Sequence, residues 1–221
     1  MTGILLDTST AIVLLGGDAI DAKAIGDLPA NCIVIAADSG VELAPVLGLD
    51  MSVVIGDMDS IDATALEALK ALGTTVVQHA ADKNESDAEL ALRHAVDLGA
   101  TRLIVIGGGG GRLDHQLALF AVMFLDRLRG TRVEVRLARS RAYPVRAGET
   151  ITISCTTGDV IGLIPFGGDT HGITTSNLRW PLHNESLFAA ASRGISNRAI
   201  ADEFSVVIDT GCLIVTVDSS L

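Results

Sequence analysis

Aromatic side chains are scarce in this sequence: one tryptophan, one tyrosine and five phenylalanines among 221 residues. With hydrophobic residues at 48%, the core has to be assembled from Ala, Val, Ile and Leu, an ordinary composition for a soluble α/β protein of one large domain or two small ones. Basic residues are also few. Sixteen Lys and Arg face 27 Asp and Glu, a formal net charge of −11. That balance excludes a surface built to wrap nucleic acid, because phosphate backbones are gripped by clustered cations. An acidic substrate would have to be met locally, through metal ions or backbone amides. The three cysteines, Cys32, Cys155 and Cys212, lie far apart in apolar segments. They match neither a zinc spacing nor a fully paired disulfide framework, so a reduced, cytoplasmic setting is expected. No basic stretch followed by a long apolar run opens the sequence, and the longest apolar runs are broken by Gly or Asp. They fall short of the ~18 residues of a membrane span, so no membrane partner is expected.

What is present is a rhythm. Up to about residue 138, short aliphatic runs alternate with amphipathic stretches: Ala11 to Leu15, Cys32 to Ala37, Ser52 to Ile55, Thr75 to Val77 and Leu103 to Ile106. Alternation of this kind predicts strands and helices around a largely parallel sheet. Ser86 and Glu89 form a capping box for a helix that buries Ala88, Ala91, Leu92 and Ala95 and stops at Gly99. A second helix is expected after Asp114, with Leu117, Ala121, Phe124 and Leu128 on one stripe and Gly130 as its end. After about Thr131 the pattern becomes β-branched runs with Gly and Asp turns: Arg132 to Leu137, Thr150 to Ser154, Val160 to Pro165, Ser205 to Ile208 and Leu213 to Val217. The expectation is an α/β N-terminal domain with a mostly parallel sheet over residues 1–138, then a small antiparallel β-sandwich domain over 139–221.

The polar clusters follow the aliphatic runs. Gly16 and Gly17 come after the first, Asp38 after the second, Asp57 and Asp59 after the third, Asp82 and Asp87 after the fourth, and Gly107 to Asp114 after the fifth. In an open parallel sheet these positions share the carboxyl edge, where ligands of such folds bind. The segment GDMDS, Gly56 to Ser60, sets two carboxylates two residues apart on one side of an extended chain. Anions that close need a cation between them, and a hard divalent ion with oxygen ligands is the obvious one. The plainer alternative is a polar turn in which Asp57 and Asp59 cap backbone amides. Asp87 would suit a helix N-terminus whatever the chemistry, and Lys83 could be a solvated surface lysine. GGGGGRLDH, Gly107 to His115, joins a strand to a helix through residues without Cβ, leaving amides free to approach phosphates. It lacks the Gly-Lys-Ser/Thr ending of a P-loop. Arg112 adds a planar donor fork and Asp114 a carboxylate. His115 reads as a proton carrier or a surface hydrogen-bonding residue. Trp180, in SNLRWPL, reads as a packing residue or as a stacking face for a flat heterocycle.

Taken in order, GDMDS, DKNESD with its helix, GGGGGRLDH, NLRWPL and the late Ser196 and Asn197 resemble the thiamine pyrophosphokinase family over nearly the whole chain. The resemblance implies a cytoplasmic homodimer that uses Mg²⁺ and ATP to convert thiamine into thiamine diphosphate and AMP. It implies a thiamine pocket between the α/β domain of one subunit and the sandwich of the other. Carried over by position, Asp57, Asp59 and Asp87 are similar to the family's magnesium ligands. Gly17, Asp38, Asp82, Lys83, Asn84, Gly110, Gly111 and Arg112 correspond to ATP-binding positions, and Asp87, Arg112 and Asp114 to catalytic ones. His115, Trp180, Ser196 and Asn197 correspond to the thiamine pocket, with Trp180 stacking on the aminopyrimidine. Two positions depart from the pattern: Ser39 stands where many members have glycine, and His115 where others carry Gln. Rival readings keep the chemistry and change the acceptor to a pterin-like alcohol, or take VVIGDMDS as the nucleophile strand of a haloacid-dehalogenase-like phosphatase. A further rival is a nucleotide or thiamine sensor without turnover.

Overall fold

A computed structural model of the chain describes residues 7–107 and 109–219; Gly108, within the glycine run, lies outside them. Two compact units divide between Ala138 and Arg139. Among the described residues the first holds six strands: β1 (Asp7–Leu15), β2 (Cys32–Ala37), β3 (Val53–Gly56), β4 (Thr75–Gln78), β5 (Arg102–Gly107) and β6 (Arg132–Leu137). They pair in parallel in the order β6-β5-β1-β2-β3-β4. The chain therefore moves outward from β1 to β4, then returns to lay β5 on the other side of β1. This reversal puts a topological switch point at the carboxyl ends of β1 and β5, where a crevice opens in sheets of this kind.

Both faces of the sheet are covered, which is why its strands read as continuous apolar runs. Ile12, Leu14, Val34, Ala36, Val54, Ile104 and Ile106, two apart along their strands, share one core with Leu43 and Ala44, which open α2 (Leu43–Leu47). Helix α4 (Asp87–Asp97) packs on β1, β2 and β3 and contributes Ala91, Leu92 and Ala95, all fully buried. A fully buried Leu of this kind contributes about 1.5–3 kcal/mol relative to exposure. The start of α4 is fixed by Ser86, whose Oγ accepts from Glu89 N at 3.2 Å; the Glu89 carboxylate pairs with Arg93, one turn on. Two shorter helices, α1 (Ala22–Ile25) and α3 (Ala63–Ala71), complete the connections between strands.

Two expectations are corrected. The helix after Asp114, α5 (Leu113–Val122), ends at Val122 and is followed by a 3₁₀ turn, Asp126–Leu128, so no single stripe runs from Leu117 to Leu128. Leu119, Val122 and Met123 are buried while Leu117 is 57% exposed. The helix is apolar on more than one side, so residue spacing alone does not set its phase. Arg132 to Leu137, read with the sandwich strands, is β6 and pairs parallel with β5. Its charged residues are satisfied inside the first unit: Arg136 Nε donates to Glu134 Oε1 at 2.8 Å, and Arg136 Nη1 to the Ile25 and Asp27 carbonyls at 3.0 and 2.9 Å.

The second unit is a sandwich of two antiparallel sheets. One has the order β12-β9-β14-β7, from β7 (Ser140–Arg146), β9 (Val160–Pro165), β12 (Asn197–Arg198) and β14 (Cys212–Asp218). The other has the order β11-β10-β13-β8, from β8 (Thr150–Ser154), β10 (Thr170–Ser176), β11 (Glu185–Leu187) and β13 (Glu203–Val207). Tyr143, Leu163 and Val215 from the first sheet meet Ile153, Ile173 and Phe204 from the second in one core. Strands β7, β10, β11 and β12 were not among the sequence expectations: β7 contains Pro144, which reads as a break, and β10 is largely Thr, Ser and Gly. No described helix is long and apolar enough to cross a membrane.

Candidate active site

The carboxyl ends of β2 and β3 lie side by side, and the chain turns sharply at both. Asp38, first in the 3₁₀ turn after β2, has φ of 48°, and Met58 after β3 has φ of 68°. Both are left-handed conformations that a non-glycine residue adopts only when its surroundings hold it there. Met58 is buried in the core beneath, which anchors the turn between Asp57 and Asp59. The result is a convergence of charge: Asp38, Asp57 and Asp59 each present an oxygen within 4.8 Å of the others. Asp87, in the first turn of α4, adjoins them. A Cβ built on Gly56 would stand 3.4 Å from both Asp38 Cβ and Asp87 Oδ1. The polar-turn reading of GDMDS also holds, since Asp57 Oδ1 accepts from Asp59 N at 3.1 Å. One segment thus carries both an amide cap and a cluster of carboxylates.

The electrostatics follow. The Asp59 N–H holds the Asp57 carboxyl below its usual value. The charge of Asp57 pushes Asp59 above its usual value, helped by the hydrogen bond to Asp57, by desolvation and by the charges of Asp38 and Asp87. Both groups are solvent-accessible, so water screens these charge preferences and their weight in stability is modest. Lys83 is the local counter-charge, its Nζ 3.1 Å from Asp87 Oδ1. That contact is an ion pair without hydrogen-bond geometry, and the buried Asp38 Oδ1 and Asp87 Oδ1 both lack a hydrogen-bond partner. Carboxylate oxygens gathered without enough donors are the chemistry of a site for a hard divalent cation, and the residues present fit one.

Beside this cluster a cavity of about 290 Å³ opens at the switch point, walled by Gly16, Gly17, Asp38, Ser39, Ser86, Asp87 and the Gly110–Arg112 segment, with His115 and Leu119 of α5. Glycine is required at two positions where the chain leaves β5, both with positive φ. A Cβ on Gly107 would meet Leu15 O at 2.1 Å, and one on Gly110 would fall 1.9 Å from the Asp18 carboxylate. Asp18 N donates to Gly109 O at 2.9 Å, and Gln116 Nε2 donates to Gly110 O. Asp18 and Gln116, which the motifs did not single out, thus pin the glycine loop from both sides. Arg112 and Asp114 form an exposed two-point pair, Nε to Oδ1 at 3.1 Å and Nη2 to Oδ2 at 2.6 Å. The guanidinium holds Asp114 below the usual carboxylate range, which makes it a poor proton acceptor while paired. Asp82 and Asn84 are exposed and do not line the cavity. At Ser39 the departure from glycine carries no backbone strain, because the positive φ falls on Asp38.

In the second unit, Trp180 is 54% exposed, with the Arg179 guanidinium 4.9 Å from its ring centroid. Asn197 is buried, and its amide is spent on the main chain: Oδ1 accepts from Trp180 N at 3.1 Å and from Arg198 N at 2.8 Å, while Nδ2 donates to Trp180 O at 2.7 Å. Asn197 therefore clamps the Trp180 backbone, and Ser196 beside it is exposed in a left-handed conformation.

Known proteins resemble this chain in sequence and in fold. Residues 28–135 match the thiamin pyrophosphokinase catalytic domain, and residues 148–215 match the thiamin pyrophosphokinase vitamin B1 binding domain. Thiamine pyrophosphokinase 1 of Arabidopsis thaliana is 30% identical over 175 residues, 73% of this chain and 63% of the plant protein, so the match spans less than two thirds of that relative. Thiamine pyrophosphokinase of Bacillus subtilis is 24% identical over 179 residues, 79% of this chain and 84% of the relative. In fold, the crystal structure of the Bacillus subtilis protein superposes with a TM-score of 0.83 at 22% identity, covering 96% of this chain and all of that one. The Candida albicans structure gives 0.78 at 14% identity, covering 96% and 89%. With a catalytic-domain match on the unit that gathers the carboxylates and a vitamin-binding match on the unit that displays Trp180, the chain belongs to the thiamine pyrophosphokinase family.

Proposed function

We propose that the chain is an ATP-dependent thiamine diphosphokinase, converting ATP and thiamine into AMP and thiamine diphosphate. The observation that carries this reading is the gathering of Asp38, Asp57 and Asp59 beside Asp87, at the edge of a cavity walled by glycine amides and Arg112. Asp57, Asp59 and Asp87 would hold Mg²⁺, with Asp38 within reach as a further oxygen ligand. The ion, when bound, supplies charge neutralisation for the phosphates. The triphosphate lies in the cavity against Gly17, Gly110 and Gly111, and Arg112 turns from Asp114 toward the transferring group. The thiamine hydroxyl oxygen attacks the β-phosphorus in line, the bridging P–O bond to the α-phosphate breaks, and AMP leaves with the bridging oxygen. Asp87 or Asp114, the latter released as Arg112 turns away, takes the hydroxyl proton. Positioning and electrostatics then account for the rate, with no covalent enzyme intermediate.

Trp180 supplies the stacking face for the aminopyrimidine, and Asn197 serves that face by fixing the backbone on which it is carried. This refines the pocket role given to Asn197, whose oxygen takes two main-chain donors and whose amide gives one N–H to the Trp180 carbonyl. The enzyme works as a homodimer in the cytoplasm, a setting that suits ATP as co-substrate and three cysteines without a disulfide among the described residues.

The direct test is incubation with ATP, Mg²⁺ and thiamine and identification of the products. Thiamine-dependent AMP together with thiamine diphosphate is expected. Inorganic phosphate released without thiamine, or preference for a pterin alcohol, would contradict the reading. Trp180→Ala and Asn197→Ala should each raise KM for thiamine roughly tenfold, the worth of one stacked ring, while KM for ATP stays near the wild-type value. An unchanged thiamine KM in either variant removes that residue from the acceptor site. Light scattering of the purified chain should give twice its 22.9 kDa mass; a monomer that turns over at full rate would rule out the dimer.

A further inference from the structure

Ser39 follows Asp38 in the 3₁₀ turn after β2 and lines the cavity with Gly16 and Gly17. Its hydroxyl lies against Gly16: a Cβ built there would fall 2.0 Å from Ser39 Oγ and 3.3 Å from Ser39 Cβ. The hydroxyl thus occupies the space that any side chain at position 16 would need, at the exit of β1. None of the hydrogen bonds among the described residues uses it. On this side of the cavity the other polar side chains are Asp38 and Asp87, which as carboxylates only accept, and Ser86, whose oxygen is engaged as the cap of α4. Lys83, the nearby cation, is paired with Asp87. A phosphate brought to the carboxylate cluster needs donors as well as a cation, and on this wall the side-chain donors are the Ser86 hydroxyl, held in place by its cap role, and the Ser39 hydroxyl, which no other hydrogen bond among the described residues holds.

We propose that Ser39 donates a hydrogen bond to a phosphate oxygen of the nucleotide bound in this cavity, and that Gly16 permits the orientation in which it does so. The inference rests on the cavity being a nucleotide site, as in the function proposed above. It assigns a binding role to a position where serine replaces the glycine common in the resemblance.

The test is calorimetric titration with α,β-methylene-ATP in the presence of Mg²⁺. Ser39→Ala should weaken binding by about tenfold, the worth of one hydrogen bond to a charged group at the modest end, with the melting temperature and the KM for thiamine unchanged. Inorganic tripolyphosphate, measured as a competitor, should lose affinity to the same extent. Gly16→Ala should also weaken binding, and by less in the Ser39→Ala background than in the wild type, because no hydroxyl remains to be displaced. Binding of the analogue within twofold of wild type by Ser39→Ala overturns the contact and leaves the function standing. Undiminished competition by tripolyphosphate overturns the phosphate assignment, and strict additivity overturns the role of Gly16. Failure of the wild-type chain to bind the analogue overturns both the contact and the function.

Discussion

Four carboxylates drawn to one edge of a parallel sheet are the constraint on which the site depends. Asp38, Asp57 and Asp59 come within a few ångströms of each other, and Asp87 approaches them across Gly56. Like charges at this spacing oppose one another, and the charge of Asp57 pushes Asp59 above its usual value. The fold tolerates the arrangement because buried, hydrocarbon-rich strands fix the residues on either side of each turn. Lys83 offsets part of the charge through Asp87, and the rest is free to bind a cation.

The backbone around the cluster is adapted to it. Glycines at 107 and 110 let the loop after β5 close on the exit of β1, and Asp18 and Gln116 hold that loop. Its amides then stand where phosphate could be met, beside the N-terminal turns of α4 and α5, whose dipoles favour anions. Arg112, which lines the same cavity, is paired with Asp114, keeping a strong donor fork there in a neutral state. In the second unit the same economy appears on a smaller scale: one buried amide, Asn197, fixes the backbone of an exposed aromatic ring.

Much of this was legible from residue order. The aliphatic runs marked five parallel strands because a sheet covered on both faces needs apolar residues throughout, and their polar followers marked the shared edge. The start of α4 was legible from Ser86, whose hydroxyl has a local, sequence-adjacent partner. What escaped the sequence was set by distant partners. The allegiance of β6 depends on Arg136 reaching the carbonyls of Ile25 and Asp27, more than a hundred residues away. The phase of α5 depends on which of several apolar sides meets the sheet. The approach of Asp38 to Asp57 and Asp59 depends on β2–β3 register. The pocket role of Asn197 came from the resemblance alone, and a polar side chain in a turn gives no sign that its oxygen and one N–H are engaged with the main chain.

The claim that these carboxylates form a site strained by its own charge until a divalent ion occupies it is tested most directly by thermal melting of the wild type and Asp59→Asn, each with EDTA and with Mg²⁺. Asp59 has a raised folded pKa, so its ionised form costs the fold stability once pH exceeds the unfolded carboxylate value, and at neutral pH the amide removes that cost. The account predicts that with EDTA the Asn variant melts above the wild type, and that Mg²⁺ raises the melting temperature of the wild type but not of the variant. A wild type indifferent to Mg²⁺, or a variant that melts lower with EDTA and responds equally to the ion, would contradict it.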